Sequence, residues 1–136
     1  MLTVPVEIKK SQIHGYGVFA AQDIRKDAVV WMFDPSLDRR VTQFALKFAE
    51  PRTQAFIRQR GYVNHDSLQE IVLCADEAQF LNFPSPDQTA NLCLGGIQDR
   101  EHMLLAAVDI KAGQELTVPP ESDADYERKM KSYGAG

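Results

Sequence analysis

Apolar and polar positions along the chain follow two periods. Near the N-terminus Val4, Val6 and Ile8 alternate with Pro5, Glu7 and Lys9. That is the period-two pattern of a strand rich in β-branched residues, with a proline suited to its start or edge. Ser11 to Gly17 is turn-rich and contains Gly15-Tyr16-Gly17; Val18 to Ala21 resumes an apolar run, Asp23 to Asp27 is a charged turn, and Ala28 to Phe33 reads as another strand. In the middle the period changes. Val41, Phe44, Ala45 and Phe48 fall on one stripe of a helix. Pro51 cannot continue that helix but can open the next, predicted over Pro51 to Arg60 with Gly61 as its stop. Glu70 to Cys74 is a short β-like run, and Phe80 to Asn91, with its prolines, is predicted as a loop. Leu92 to Leu94 and Met103 to Val108 read as strands, with Gly95-Gly96 and Asp99 as turn material between them. Glu115 to Val118 reads as a last short strand, closed by Pro119-Pro120, and Asp123 to Ser132 as a charged helix capped by Ser122 or Asp123. The expectation is a mainly β chain with short helices, an α+β architecture.

One stretch echoes another. Ala20-Ala21-x-Asp23-Ile24-Arg25 recurs as Ala106-Ala107-x-Asp109-Ile110-Lys111 at a constant offset of 86 residues. Each copy follows one apolar run and precedes another. Gly113 supplies a residue that takes positive φ after the second copy, and Asp27 holds that place after the first. Two similar turns would produce such an echo on their own.

Composition narrows the class. The length of 136 residues suits one domain across 1–136, and 44% apolar with 25% charged residues argue against a disordered chain. Fifteen Lys and Arg against nineteen Asp and Glu leave a net charge of −4. An acidic domain is a poor holder of nucleic acid through its phosphates and a better match for a basic partner such as a lysine-rich peptide. No apolar run approaches the roughly 18 residues of a membrane helix, so no membrane association is expected. The N-terminus lacks the basic start and apolar core of a signal peptide. Cys74 and Cys93 form no Cys-x-x-Cys pair, so no zinc knuckle is available, and they read as reduced thiols of a cytoplasmic protein. His14, His65 and His102 lie far apart, and no metal is expected.

Lys10-Ser11-x-Ile13-His14-Gly15-Tyr16-Gly17-Val18-Phe19-Ala20, followed by Asp23-Ile24, resembles the opening of a SET domain, the lysine methyltransferase fold. Ala107-x-Asp109-Ile110-Lys111-Ala112-Gly113-Gln114-Glu115-Leu116-Thr117 resembles its closing motif. The order and separation of the two stretches make the resemblance specific. It extends over nearly the whole chain, is weakest between residues 34 and 68, and is closest to short stand-alone bacterial and viral members. It implies a β-clip fold of small curved sheets, a helical insert at about 40–68, a C-terminal pseudoknot of the kind that rarely breaks the rule against threading, and a tail from about 121 to 136. It also implies S-adenosylmethionine bound on one face and a substrate lysine entering from the other.

The resemblance carries over residue by residue. Gly15, Tyr16 and Gly17 would wrap the cofactor's methionine part with backbone groups. Phe80-Leu81-Asn82 matches the start of the family's aromatic, Asn-His-Ser, then Pro-Asn motif, but Phe83 and Pro84 replace the His and Ser, and Ala90-Asn91 stands for Pro-Asn at a longer distance. Asn82 is therefore the side-chain candidate for the cofactor, with Phe83 offering an apolar surface and backbone groups in place of imidazole hydrogen bonds. Asn64-His65-Asp66-Ser67 resembles Asn-His-Ser superficially and reads as a loop. After Glu115-Leu116-Thr117 the family's tyrosine position holds Pro120. Tyr126 is the candidate catalytic substitute. Glu121, Asp123, Asp125 and Glu127 either border a groove for a basic substrate or serve as acidic residues at a helix N-terminus.

Two functions remain on this reading. One is an S-adenosylmethionine-dependent protein-lysine methyltransferase, slowed or with a relocated tyrosine. The other is a SET-like pseudoenzyme that binds cofactor or protein. A lysine-containing protein or peptide is the expected partner, and pairing as a homodimer is open.

Overall fold

A computed structural model describes residues 1–63 and 70–120. The predicted helix at 123–132, Tyr126, the acidic stretch after Pro120 and the His65 loop lie outside the described residues. In chain order the elements are β1 (Val6–Lys10), β2 (Tyr16–Ala20), β3 (Val29–Trp31), β4 (Arg39–Thr42), α1 (Gln43–Lys47), α2 (Pro51–Arg60), β5 (Tyr62–Val63), β6 (Glu70–Leu73), a 3₁₀ turn at Glu77–Phe80, β7 (Leu92–Gln98) and β8 (Glu101–Ala106). The strands form small sheets ordered β1-β2, β3-β8-β7 and β4-β6-β5, and every pairing is antiparallel. The mainly β architecture with short helices is as expected.

Three elements depart from the sequence pattern. The helix predicted from Val41 onward begins at Gln43, because Thr42 caps it by accepting from the Ala45 N–H and Val41 pairs with Ile71 in β4. Its buried residue is Leu46, whereas Phe44 and Phe48 are 74% and 71% exposed and stack edge-on against each other. Gly95 and Gly96 do not make the β7–β8 turn. They lie inside β7 at a register shift between Leu94 and Ile97, and a Cβ on Gly95 would come within 2.7 Å of Leu105. The turn is Asp99-Arg100, both with positive φ, the primed geometry that suits a two-residue hairpin. Glu115 to Val118 forms isolated bridges, Phe19 with Glu115 and Asn82 with Thr117, instead of a strand. Over Pro51–Arg60 the prediction holds: Pro51 opens α2, and the Gly61 N–H bonds the Ile57 carbonyl to end it.

The sequence echo is a structural pair. Ile24 and Ile110 bridge each other through both backbone bonds, 2.7 and 2.8 Å. Asp27 N donates to Ala106 O, and its counterpart Gly113 N donates to Ala20 O. Lys26 N donates to the Asp109 carboxylate, and Ala112 N to the Asp23 carboxylate. Asp27 and Gly113 both take positive φ, so each turn reads the other's backbone in the same way. This reciprocal pairing is a local pseudo-twofold.

The main core holds Val18, Ala20, Ile24, Val30, Leu92, Ala106, Ile110 and Leu116, drawn from both copies of the echo and from the closing motif. A second cluster, Trp31, Phe33, Val72, Cys74 and Ala78, joins the β3 sheet to the β6 sheet, and Leu46, Ile57 and Ile71 seat the helices on β6.

Leu116 is fully buried although it belongs to no regular strand. Leu116→Ala is expected to lower stability by about 2–5 kcal/mol, the usual cost of a core cavity. Urea unfolding measures it; a loss under about 1 kcal/mol would contradict the burial of this segment.

Candidate functional site

The site is built where the β1–β2 hairpin meets the segment after the 3₁₀ turn and the closing motif. Two glycines shape the hairpin for different reasons. Gly15 has φ +47°, which lets its carbonyl turn back to accept from Ser11 N at 2.7 Å. Gly17 has no such need. A Cβ there would stand 2.8 Å from Cδ of Glu115, closer still to its Oε2, and 3.3 Å from Asn82 Nδ2. The second glycine leaves room for a carboxylate.

That carboxylate accepts from both sides. Glu115 Oε1 accepts from Ser11 Oγ at 2.7 Å, and Oε2 from Asn82 Nδ2 at 2.9 Å. The same Asn82 amide donates to the carbonyls of His14 at 3.0 Å and Tyr16 at 3.1 Å. Its nitrogen is thus consumed in holding the hairpin, and the surrounding acceptors fix the orientation of the amide. Oδ1 accepts from no donor among the described residues. Asn82 itself is placed by its own carbonyl, which accepts from Val118 N at 3.0 Å. Asn91 has a different duty. Its Nδ2 donates to Glu115 O and its Oδ1 accepts from Thr117 N, each at 2.8 Å, so it pins the backbone of the closing motif.

Beside this cluster opens a cavity of about 580 Å³. Asn82 and Phe83 line it, and so does Pro120. Gly15, Tyr16 and Gly17 do not; His14 and Ile13, just before them, contribute in their place, while Tyr16 projects to solvent. The hairpin therefore reaches the cavity through its approach residues, and the glycines act one layer behind.

Sequence reasoning missed part of the wall. Trp31, Tyr62 and Cys74 come from β3, β5 and the residue just after β6, segments with no motif, and only the sheet pairing brings them together. The Trp31 and Tyr62 rings meet edge to face at 5.9 Å. Burial, then the neighbouring Glu101 carboxylate, push the Tyr62 hydroxyl well above its ordinary range, and it donates to Glu101 at 3.4 Å. Glu101 is itself raised by burial, opposed by the Arg40 guanidinium, which bonds it at 3.0 Å and also donates to Asp99 O. Burial and the nearby Asp38 charge push the Cys74 thiol up to about 12. Cys74 is a packing residue at neutral pH, since the thiolate is the reactive form.

No family model matches the chain, and no curated protein matches it. Solved structures do. A Plasmodium falciparum candidate histone methyltransferase superposes with a TM-score of 0.62 at 14% identity, over 90% of this chain and 97% of that one. A chain of the humanized Chaetomium thermophilum Polycomb Repressive Complex 2, with a bound inhibitor, superposes at 0.59 with 20% identity, over 85% of this chain and 15% of that one. The fold is SET-like. At these identities the likeness is one of architecture, and the chain spans only a small part of the Polycomb chain.

Gly17→Ala is expected to destabilise the protein by about 1–3 kcal/mol, because the methyl group must displace Glu115 or Asn82; thermal melting against wild type measures it. A thiol reagent at pH 8 should label Cys93, which is half-buried, and spare Cys74 until the protein unfolds. The raised thiol also sets a pH trend. Its contribution to stability is full below about pH 9 and is lost as pH rises towards about 12, since the unfolded chain ionises first. Cys74→Ala should flatten that alkaline slope in urea titrations.

Proposed function

We propose that this protein is an S-adenosylmethionine-dependent protein-lysine methyltransferase of the short stand-alone SET type. The observation that carries the reading is the lock between the Gly15–Gly17 hairpin, Asn82 and Glu115 at the edge of a ligand-sized cavity. The Plasmodium falciparum candidate histone methyltransferase of like fold supports a protein substrate. The reading takes residues 1–136 as one domain of the cytoplasm. The stitching of residues 115–118 to both Val18 and Asn82 supports the expected pseudoknot.

The residues present suit the cofactor. The cavity volume falls in the range of small-molecule sites, about 300–1,000 Å³. Asn82 Oδ1 is an open acceptor for an ammonium, and Phe83 offers an apolar face. When bound, S-adenosylmethionine supplies a methyl group on a sulfonium that an amine displaces in line. The chain's part is to orient that amine and to keep it neutral. A free lysine has a pKa near 10.4. Apolar walls such as Leu81, Leu104 and Val118 disfavour its charged form, and among the described residues no carboxylate lines the cavity to restore it. Alignment then supplies much of the rate.

A second reading rests on a specific observation. Phe83 and Pro120 both line the cavity, and neither brings the imidazole or hydroxyl of the family motif. Losing a positioned polar group typically costs on the order of a hundredfold in rate. Tyr126 or a second copy in a homodimer would restore a hydroxyl. Without either, the protein is a SET-like module that binds cofactor or protein.

Calorimetry with S-adenosylmethionine is expected to show binding that Asn82→Ala weakens by about tenfold or more, the worth of a hydrogen bond to a charged group. Labelled-methyl transfer to lysine-rich proteins then measures turnover. No binding at millimolar cofactor would sink the enzyme reading, and binding without transfer would leave the module.

A further inference from the structure

The cavity is unbalanced in charge. Among its described lining residues Arg60 is the single permanently charged side chain, and no Asp or Glu accompanies it. Arg60 is the last residue of α2, where the partial negative charge of a helix C-terminus favours a cation. Its guanidinium carbon stands 4.6 Å from the centre of the Phe80 ring. This stacking presents the flat fork in a set orientation without using its N–H groups. The Arg60 guanidinium makes no ion pair or hydrogen bond with another described residue. A half-buried guanidinium held on an aromatic face and facing a cavity calls for an anion with paired oxygens.

Phe80 also ties Arg60 to the site already described. Two residues beyond it stands Asn82, whose amide nitrogen is consumed by the hairpin and the Glu115 carboxylate and whose Oδ1 remains to accept. The lining of the cavity thus offers both an acceptor and a forked cationic donor, the latter carried on a ring two residues before Asn82. A bare lysine ammonium satisfies the first and is repelled by the second. A zwitterionic α-amino-acid head satisfies both.

We propose that Arg60 is the carboxylate-binding residue of this site, holding the amino-acid head of the ligand while Asn82 Oδ1 takes its ammonium. The assignment rests on the cofactor reading above and adds to it a residue from the helical insert, outside every motif in the sequence. It makes the site selective for ligands that keep the amino-acid head.

The test compares two ligands that share the adenosine and thioether parts. S-adenosylhomocysteine carries the amino-acid head; 5′-methylthioadenosine lacks it. Arg60→Met keeps an unbranched stem on Phe80 and removes the charge, and Arg60→Lys keeps the charge and removes the fork. Calorimetric titration of the full chain should show Arg60→Met weakening S-adenosylhomocysteine by about tenfold or more, with Arg60→Lys in between and 5′-methylthioadenosine unaffected by either. Equal weakening of both ligands would mean that Arg60 only packs, and no weakening of either would mean that its charge is engaged elsewhere; each overturns the assignment and leaves the cofactor reading standing. Wild-type protein binding neither ligand at millimolar concentration would overturn the cofactor reading and the Arg60 assignment together. If Arg60→Met fails to fold, the Arg60→Lys titration decides by the same ratio.

Discussion

The segment Gln114 to Val118 is hydrogen-bonded on both sides, and most of the architecture depends on that. Towards β2, Ala20 N donates to Gln114 O and Leu116 N to Val18 O; towards the opposite side, Leu92 N donates to Thr117 O and Val118 N to Asn82 O. Asn91 adds side-chain bonds to the same backbone. A buried segment with no sheet ladder of its own must find partners for its amides elsewhere. Here those partners come from the N-terminal hairpin, the loop at 82 and the start of β7. Elements distant in sequence are thereby held in one relation, and Leu116 closes the main core between them.

The local pseudo-twofold supports that arrangement. The Ile24–Ile110 bridge and the crossed carboxylate caps of Asp23 and Asp109 fix the turn before β3 against the turn before the closing segment. Positive φ at Asp27 and Gly113 is needed at equivalent points, where each residue's N–H reaches the other copy's alanine carbonyl. With this anchor set, Glu115 arrives beside Gly17, and its carboxylate joins Ser11 to Asn82. This bond network holds the β1–β2 hairpin, Asn82 and Glu115 in one fixed arrangement.

Phe83 and Pro120 line the cavity with apolar surface and bring no hydrogen-bonding side-chain group. The polar work near the cavity passes to groups outside the motifs. Arg40, Glu101 and Tyr62 form a buried chain of charge-assisted contacts that holds β4, β5 and β8 in register around Trp31. Burial there raises both Glu101 and Tyr62, so the Tyr62 ring acts through its shape and its donor hydrogen, not as an acid.

Much of this was legible in the amino-acid sequence. Local constraints write themselves into it: Pro51 and Gly61 bound α2, Gly15 marks a left-handed turn, and the echo at an 86-residue offset marks two turns that need the same residues. Asn82 was singled out by its place in a motif, and the structure sets it against the hairpin and Glu115. The sequence alone did not determine which apolar residues are inside or which glycines turn. Phe44 and Phe48 carry a helical period yet face solvent, because Val41 is drawn into β4 and Leu46 takes the buried position. Gly95 reads as a turn yet lies in a strand, because Leu105 crosses it from the neighbouring strand. Gly17 makes room for a residue 98 positions away, and Trp31, Arg60 and Tyr62 meet Asn82 around one cavity only after the sheets form. Sequence determines what each residue can do with its neighbours along the chain. Tertiary structure decided which distant groups share a site, because contact energies depend on separation in space and the chain records only separation along itself.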